Sequence, residues 1–204
     1  MDAQTLQATR RSLHAVAELV LAGPQDAAYG TIRLRVVPGG FAGVSLSVRV
    51  EGRDLVWDGG RRPLGGSCHE LASAAGLEAV APGIYDEDSG VDPDEPLAFD
   101  DEALDVLLEW FGRADAALRA FAPEVEPVLW PEHFDVGLSL DEVNYGASPG
   151  DAGNPAPYAY VGPWTARAGA FWNAPFGALR PATAFADTAS LTAFFAEGRT
   201  LAAS

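Results

Sequence analysis

The chain of 204 residues is predicted to adopt an α+β fold, with short antiparallel strands in two groups packed against three helices. Alternating apolar and polar residues occur near 31–50, where they predict a hairpin, and near 133–162, where they predict a meander. Apolar residues at helical spacing mark about 4–21, 101–121 and 187–198. The composition is globular, at 48% hydrophobic and 21% charged, and 22 glycines with 15 prolines imply many turns. At this length a core can form without disulfides or metal.

The first helix is expected over 4–21, with Leu6, Leu13, Val16, Ala17 and Val20 on its apolar stripe. Gly23 and Pro24 are expected to stop it. His14 borders that stripe and reads as a packing residue. The runs 31–37 and 44–50 alternate and predict the two arms of the hairpin, joined through Pro38-Gly39-Gly40. Arg33, Arg35 and Arg49 then share one face, read as a solvated face or, more sharply, as an anion site. A short strand is expected at 54–57, and a helix at 67–75 with Ser67 and Glu70 as a capping box.

The stretch 82–98 is an acidic loop, read as a solvated linker. Asp86, Asp88, Asp92 and Asp94 alternate as in a calcium loop, but the sixth and twelfth positions hold Val91 and Leu97 in place of Gly and Glu. Helix 101–121 is announced by Asp100 as N-cap, and Pro123 ends it. Its apolar face is Leu104, Leu107, Leu108, Phe111, Ala114, Leu118 and Phe121. The last helix is expected to begin at Asp187 and close at Gly198. The whole is read as a single domain, 1–204, divisible into lobes 1–80 and 99–204 joined by the acidic loop.

Composition excludes several chemistries. There is no lysine, so neither a lysine Schiff base nor a phosphate-binding loop of the G-x-x-x-x-G-K type can form. Net charge is −16; residues 1–62 hold eight arginines and six acids, and residues 63–204 hold five arginines and 23 acids. Such a surface repels nucleic acid and anionic membranes. Cys68 is the only cysteine, which excludes an internal disulfide and a cysteine-rich zinc site. Its neighbour His69 points elsewhere on a helix, against a Cys–His catalytic pair. The N-terminus does not read as a signal peptide, and a soluble cytoplasmic protein is expected.

The candidate site is the stretch 129–164. It alternates from Phe134 to Leu140, bends through a Gly/Pro-rich segment and returns at Tyr158 to Val161. His133 and Asp135 stand two apart and would share the polar face of a strand, as an acid/base pair would. Gly146-Ala147-Ser148-Pro149-Gly150 has the form G-x-S-x-G, yet Pro149 has no N–H to donate to an oxyanion and no helix can follow. It is read as a tight loop.

Three motifs resemble those of a family of bacterial, actinobacterial-type proteins. They are Trp130-Pro131-Glu132-His133-Phe134-Asp135, Asn144-Tyr145-Gly146-Ala147-Ser148-Pro149-Gly150-Asp151 and Pro155-Ala156-Pro157-Tyr158-Ala159-Tyr160-Val161. Relatives in that family often carry a second histidine where Glu132 stands. The resemblance marks a family and implies no particular activity. The first 80 residues resemble the helix-then-hairpin opening of sterol-carrier-like domains and of the C-terminal domains of mycothiol-dependent isomerases.

The leading expectation is binding of a small molecule or peptide in an aromatic pocket formed by 129–164. Trp130, His133, Tyr145, Tyr158, Tyr160, Trp164 and Trp172 would wall it, and Asp135, Asn144, Ser148, Asp151 and Asn173 would supply polar contacts. The alternatives are an enzyme using His133 as acid/base with Asp135 orienting it, and an acidic partner-binding or structural protein. No cofactor, metal, nucleic acid or membrane is expected, and the oligomeric state is left open.

Overall fold

The computed structural model describes residues 2–85 and 88–203. The fold is α+β, and its described strand pairings are antiparallel. The chain divides into two compact units: Met1–Glu109 with Leu129–Phe134, and Trp110–Val128 with Asp135–Ser204. No helix among the described residues is long and apolar enough to cross a membrane.

The first unit opens on helix α1 (Ala3–Ala15), capped by the Asp2 carboxylate on the Thr5 N–H. The expected stop at Gly23-Pro24 does not occur. The helix widens into a π-helical turn, Val16–Ala22, and continues as α2 (Gly23–Tyr29), which ends at Gly30 in the left-handed conformation. The π turn explains why Pro24 is tolerated. In i+5 register the missing Pro24 N–H would have bonded the Leu19 carbonyl, and the Val80 N–H bonds it instead, at 3.0 Å. Gly23 is needed there because a Cβ would lie 1.6 Å from the Val80 carbonyl oxygen.

The expected hairpin arms 31–37 and 44–50 are replaced by three strands: β1 (Leu34–Val37), β2 (Gly40–Gly43) and β3 (Val48–Glu51). The turn at Pro38-Gly39 is tight enough that Val37 pairs with Gly40, so residues 40–43 become the second arm. Residues 44–47 are not strand. The buried Gln25 amide takes the Ser45 and Leu46 N–H groups (2.8 and 3.3 Å) and donates to the Thr31 and Arg33 carbonyls. The ladder continues through β4 (Asp54–Trp57), as expected, and β5 (Gly60–Pro63). Register aligns Arg35, Ala42, Arg49, Val56 and Arg61 across it, so of the three expected arginines Arg35 and Arg49 share a face, joined by Arg61, while Arg33 precedes β1. Arg49 and Arg61 are paired there with Glu51, and Arg61 with Asp54 as well.

Helix α3 (Cys68–Ala74) carries the expected Ser67 cap. The acidic loop is fastened and not a free linker. Leu97 donates to the Gly66 carbonyl, Ala98 to Ser12 Oγ, and Asp94 meets His69 Nδ1 at 2.7 Å. Of the calcium-like aspartates, Asp86 lies outside the described residues. Asp88 and Asp92 each accept a backbone N–H two residues on, forming local turns.

Helix α4 (Asp101–Phe121) has its expected span, with Asp100 capping the Ala103 N–H. Strand β6 (Val128–Trp130) follows, and its Leu129 pairs with Leu34 of β1. The second unit contains β7 (Asp135–Leu140), β8 (Val143–Ser148), β9 (Tyr158–Pro163) and β10 (Ala178–Pro181) in spatial order β10-β9-β8-β7. Helix α5 (Thr188–Ala202) starts from the Asp187–Ser190 capping box and runs past the expected stop at Gly198. Gly198 serves packing instead, since a Cβ there would lie 2.8 Å from a Val161 methyl.

Candidate functional site

Strand register sorts the second unit's sheet into two faces. On one, Val136, Leu138, Tyr145, Ala147, Ala159 and Val161 are buried, and Tyr145 packs on Phe121 of α4 (4.6 Å between ring centroids) and on Phe195 of α5 (6.2 Å). The other carries Asp135, Gly137 and Ser139 from β7, Asn144, Gly146 and Ser148 from β8, and Tyr158, Tyr160 and Gly162 from β9. Most of the expected polar contacts therefore fall together on this second face. Tyr145, expected to wall the site, is a core residue on the helix side; adjacent strand positions point opposite ways.

Two tyrosine–carboxylate pairs dominate the polar face. The Tyr160 hydroxyl donates to Asp135 at 2.5 Å, and the Tyr158 hydroxyl donates to Asp151 at 2.5 Å. To reach Asp135 on β7, the Tyr160 ring crosses β8. Gly146 and Gly137 stand in one register row with it and leave the room. A Cβ on Gly146 would lie 2.4 Å from the Tyr160 hydroxyl oxygen, and one on Gly137 3.1 Å from it. Burial first, then the adjacent aspartate, pushes the Tyr158 and Tyr160 phenols well above their ordinary range, so both remain donors.

Asp151 also accepts the Gly153 and Asn154 N–H groups at 2.7 and 2.6 Å, which shapes the bend after β8. Ser148 closes the end of β8. Its hydroxyl accepts the Gly150 N–H and its carbonyl accepts the Trp110 indole N–H.

Towards the other end of the face the site opens. Asn144 Oδ1 accepts from Ser139 Oγ at 2.7 Å and from the Trp164 indole N–H at 3.2 Å. Trp164 is 66% exposed, and Phe176, 44% exposed, sets its edge against Tyr160 at 6.4 Å. Gly162 lies between Asn144 and Phe176: a Cβ on it would meet Asn144 Cβ at 3.9 Å and the Phe176 carbonyl at 3.5 Å. Phe176, Ser139 and the three glycines were not singled out from the sequence. The signal was available as glycine at alternate positions of three strands, all on one face.

The remaining expected residues have other roles. Asn173 grips the β10 edge, accepting the Leu179 N–H (2.9 Å) and donating to its carbonyl (3.2 Å), while Trp172 packs edge-on against Phe171. Trp130 and His133 belong to the first unit. Arg33 lies over the Trp130 ring at 6.0 Å, and His133 is exposed with Glu132 Oε1 3.6 Å from its Nε2. His133 is not on a strand. It sits in the turn before β7, where Phe134 has φ +49°, so the expected face-sharing of His133 and Asp135 does not arise from strand geometry. The Asp135 carboxylate serves Tyr160.

The expectation that His14 is a packing residue holds. Its ring stacks on Phe134 (5.2 Å, 4° between planes) and Nε2 lies 2.6 Å from the Pro131 carbonyl. Among the described residues no group of three His, Cys, Asp or Glu side chains is placed to hold a metal ion. No family model, curated protein or solved structure matches the chain.

Proposed function

We propose that the second unit binds a small molecule with a planar group on the open end of its polar sheet face, over Gly162 between Trp164 and Phe176. The observation that carries this is the side-chain-free floor at Gly162, flanked by two exposed aromatic side chains and by the Ser139–Asn144 polar pair. Exposed aromatic side chains contribute apolar area at low entropic cost, and a few convergent polar groups set orientation. The Tyr160–Asp135 and Tyr158–Asp151 pairs act as a rigid base and not as the reacting groups. An acid/base role for His133 and Asp135 has weaker support, because the Asp135 carboxylate is engaged by Tyr160.

The test is a small-molecule screen read by indole fluorescence and by native mass spectrometry of protein from a bacterial host. Binding should perturb the Trp164 emission, and Trp164→Ala or Gly162→Leu should weaken the affinity at least tenfold while the fold persists. A ligand bound equally well by both variants would place binding elsewhere.

A further inference from the structure

At the open end of the second unit's polar face the hydrogen-bonding polarity is fixed atom by atom. Asn144 Oδ1 lies 3.2 Å from the Trp164 indole nitrogen. An indole N–H only donates, so the amide atom that faces it is the oxygen and not the nitrogen. Ser139 Oγ lies 2.7 Å from the same oxygen. That oxygen has only lone pairs to offer, so Ser139 spends its single hydroxyl proton there. Towards a ligand, Ser139 Oγ therefore accepts and does not donate. Asn144 Nδ2 keeps two N–H donors with no acceptor among the described residues. Its cross-strand partner is Gly162, which has no side chain to take them up.

The aromatic wall beside this pair is held in place. Trp164 is 66% exposed, yet its backbone N–H donates to the Glu142 carbonyl at 2.9 Å and its indole N–H to Asn144. An exposed indole fixed at both ends has less freedom to lose when a ring stacks on it. Phe176 is braced edge-on against Tyr160, with 86° between the rings. The charge around the site does not suit an anion. Asp141 and Glu142 form the turn next to Trp164, and Arg199 is bound to Asp141 at 2.7 Å. A carboxylate or phosphate would also meet the field of a chain with net charge −16.

We propose that this face binds an uncharged planar ring with a cyclic-amide edge, its carbonyl oxygen accepting from Asn144 Nδ2 and its ring N–H donating to Ser139 Oγ. The inference rests on the reading of the open end as a ligand site and adds the class of ligand. Pyrimidinone and purinone rings carry such an edge, as do cyclic imides. The ring stacks on the Trp164 indole over Gly162. Asn144 and Ser139 then select among rings, because one that lacks either complement leaves a desolvated polar group unpaired.

Four soluble rings test it on the isotope-labelled protein: uracil; 1,3-dimethyluracil, which keeps the carbonyls and loses both ring N–H groups; orotate, a uracil with a carboxylate; and benzyl alcohol, which stacks without an amide. Binding is read by NMR from the Trp164 indole N–H resonance, assigned by its loss in Trp164→Phe. Uracil should bind about fivefold more tightly than 1,3-dimethyluracil or benzyl alcohol, the worth of about one hydrogen bond, and about tenfold more tightly than orotate. Asn144→Asp keeps the oxygen that holds Trp164 and Ser139 and exchanges the donor for an acceptor. It should weaken uracil about tenfold. Should that variant fail to fold, the exposed Ser139→Ala carries the test. It should bring uracil down to the level of 1,3-dimethyluracil and leave 1,3-dimethyluracil unchanged. Equal affinity for uracil, 1,3-dimethyluracil and benzyl alcohol overturns the amide-edge assignment while keeping the aromatic site, since Trp164 still reports binding. A Trp164 resonance unmoved by all four rings overturns the assignment together with the reading beneath it.

Discussion

In the second unit the hydroxyls of Tyr158 and Tyr160 each donate to a carboxylate, and the strands beneath them carry glycines that make the geometry possible. In the first unit the buried Glu18 carboxylate takes the Ser89 N–H at 2.9 Å and faces the Tyr85 phenol, which burial raises first and the Glu18 charge next. Completed buried networks specify one structure and leave nothing for a ligand to add.

The largest expected effect breaks the completed network at its floor. Gly146→Ala drives a methyl into the Tyr160 ring and should cost about 3 kcal/mol, read from urea unfolding. In a Tyr160→Ala background the penalty should shrink by about 1–2 kcal/mol; part remains because the Val136 carbonyl is 2.7 Å from the same Cβ. An unchanged penalty would show that the glycine is there for the backbone alone. Tyr160→Phe, which leaves Asp135 without its phenol donor, should cost about 1.5–3 kcal/mol.

Stability against pH sharpens the comparison, since the acid limb reports the first unit and the alkaline limb draws on Cys68 and Tyr85 of the first unit and on three tyrosines of the second. On the acid side, His14 falls from 6.5 to about 4 in the folded state, by burial. Between those values the unfolded chain binds the extra proton. Stability is therefore complete above pH 6.5 and lost as pH falls towards 4, by up to about 3 kcal/mol. His14→Gln should flatten this limb. On the alkaline side the sign reverses. Tyr145, raised to about 12 by burial, and Tyr158 and Tyr160, raised by burial and their aspartates, ionise more readily unfolded. Stability holds below pH 9 and declines above it, first through the buried Cys68 thiol, raised to about 12, and above pH 10 through these phenols. Absorbance at alkaline pH should show these phenols ionising together with unfolding; their titration in a still-folded protein would contradict the buried pairs.

The same contrast explains what was legible in the sequence. Helix α4 was readable to the residue because its cap, its apolar stripe and Pro123 are all local signals. Pro24 and Gly198 were misread as stops because their roles are tertiary. Pro24 is accommodated by a π turn and Val80, and Gly198 by Val161. Gln25 was invisible as the residue that denies 44–47 to the sheet, because its four hydrogen bonds reach across separate segments. In the candidate site, Tyr158, Tyr160, Asp135 and Asn144 were legible from strand alternation, whereas Ser148, read as part of a tight loop, ends strand β8. Tyr145 was misassigned by composition, although its odd position on β8 already placed it on the other face. Phe176 comes from a separate loop and reaches the site only through folding.

The smallest effect concerns the turn that aligns β7 with β8 and so sets the row of Gly137, Gly146 and Tyr160. Leu140 pairs with Val143, leaving the two-residue loop Asp141-Glu142, and both residues have positive φ, +54° and +62°. That is the conformation of a type I′ turn, which glycine adopts without strain and other residues do not. Asp141 is held by Arg199 at 2.7 Å, an exposed pair. Glu142 uses its backbone carbonyl for the Trp164 N–H at 2.9 Å, a bond that survives loss of the side chain. Glu142→Gly should therefore stabilise the protein by about 0.5–1 kcal/mol, relief of strain outweighing glycine's extra unfolded-state entropy. Arg199→Ala should change stability by less than about 1 kcal/mol. A raised urea midpoint at constant slope would confirm the first. A lowered one would mean that the register is held by the Tyr160–Asp135 pair and its glycine row, with the turn merely following.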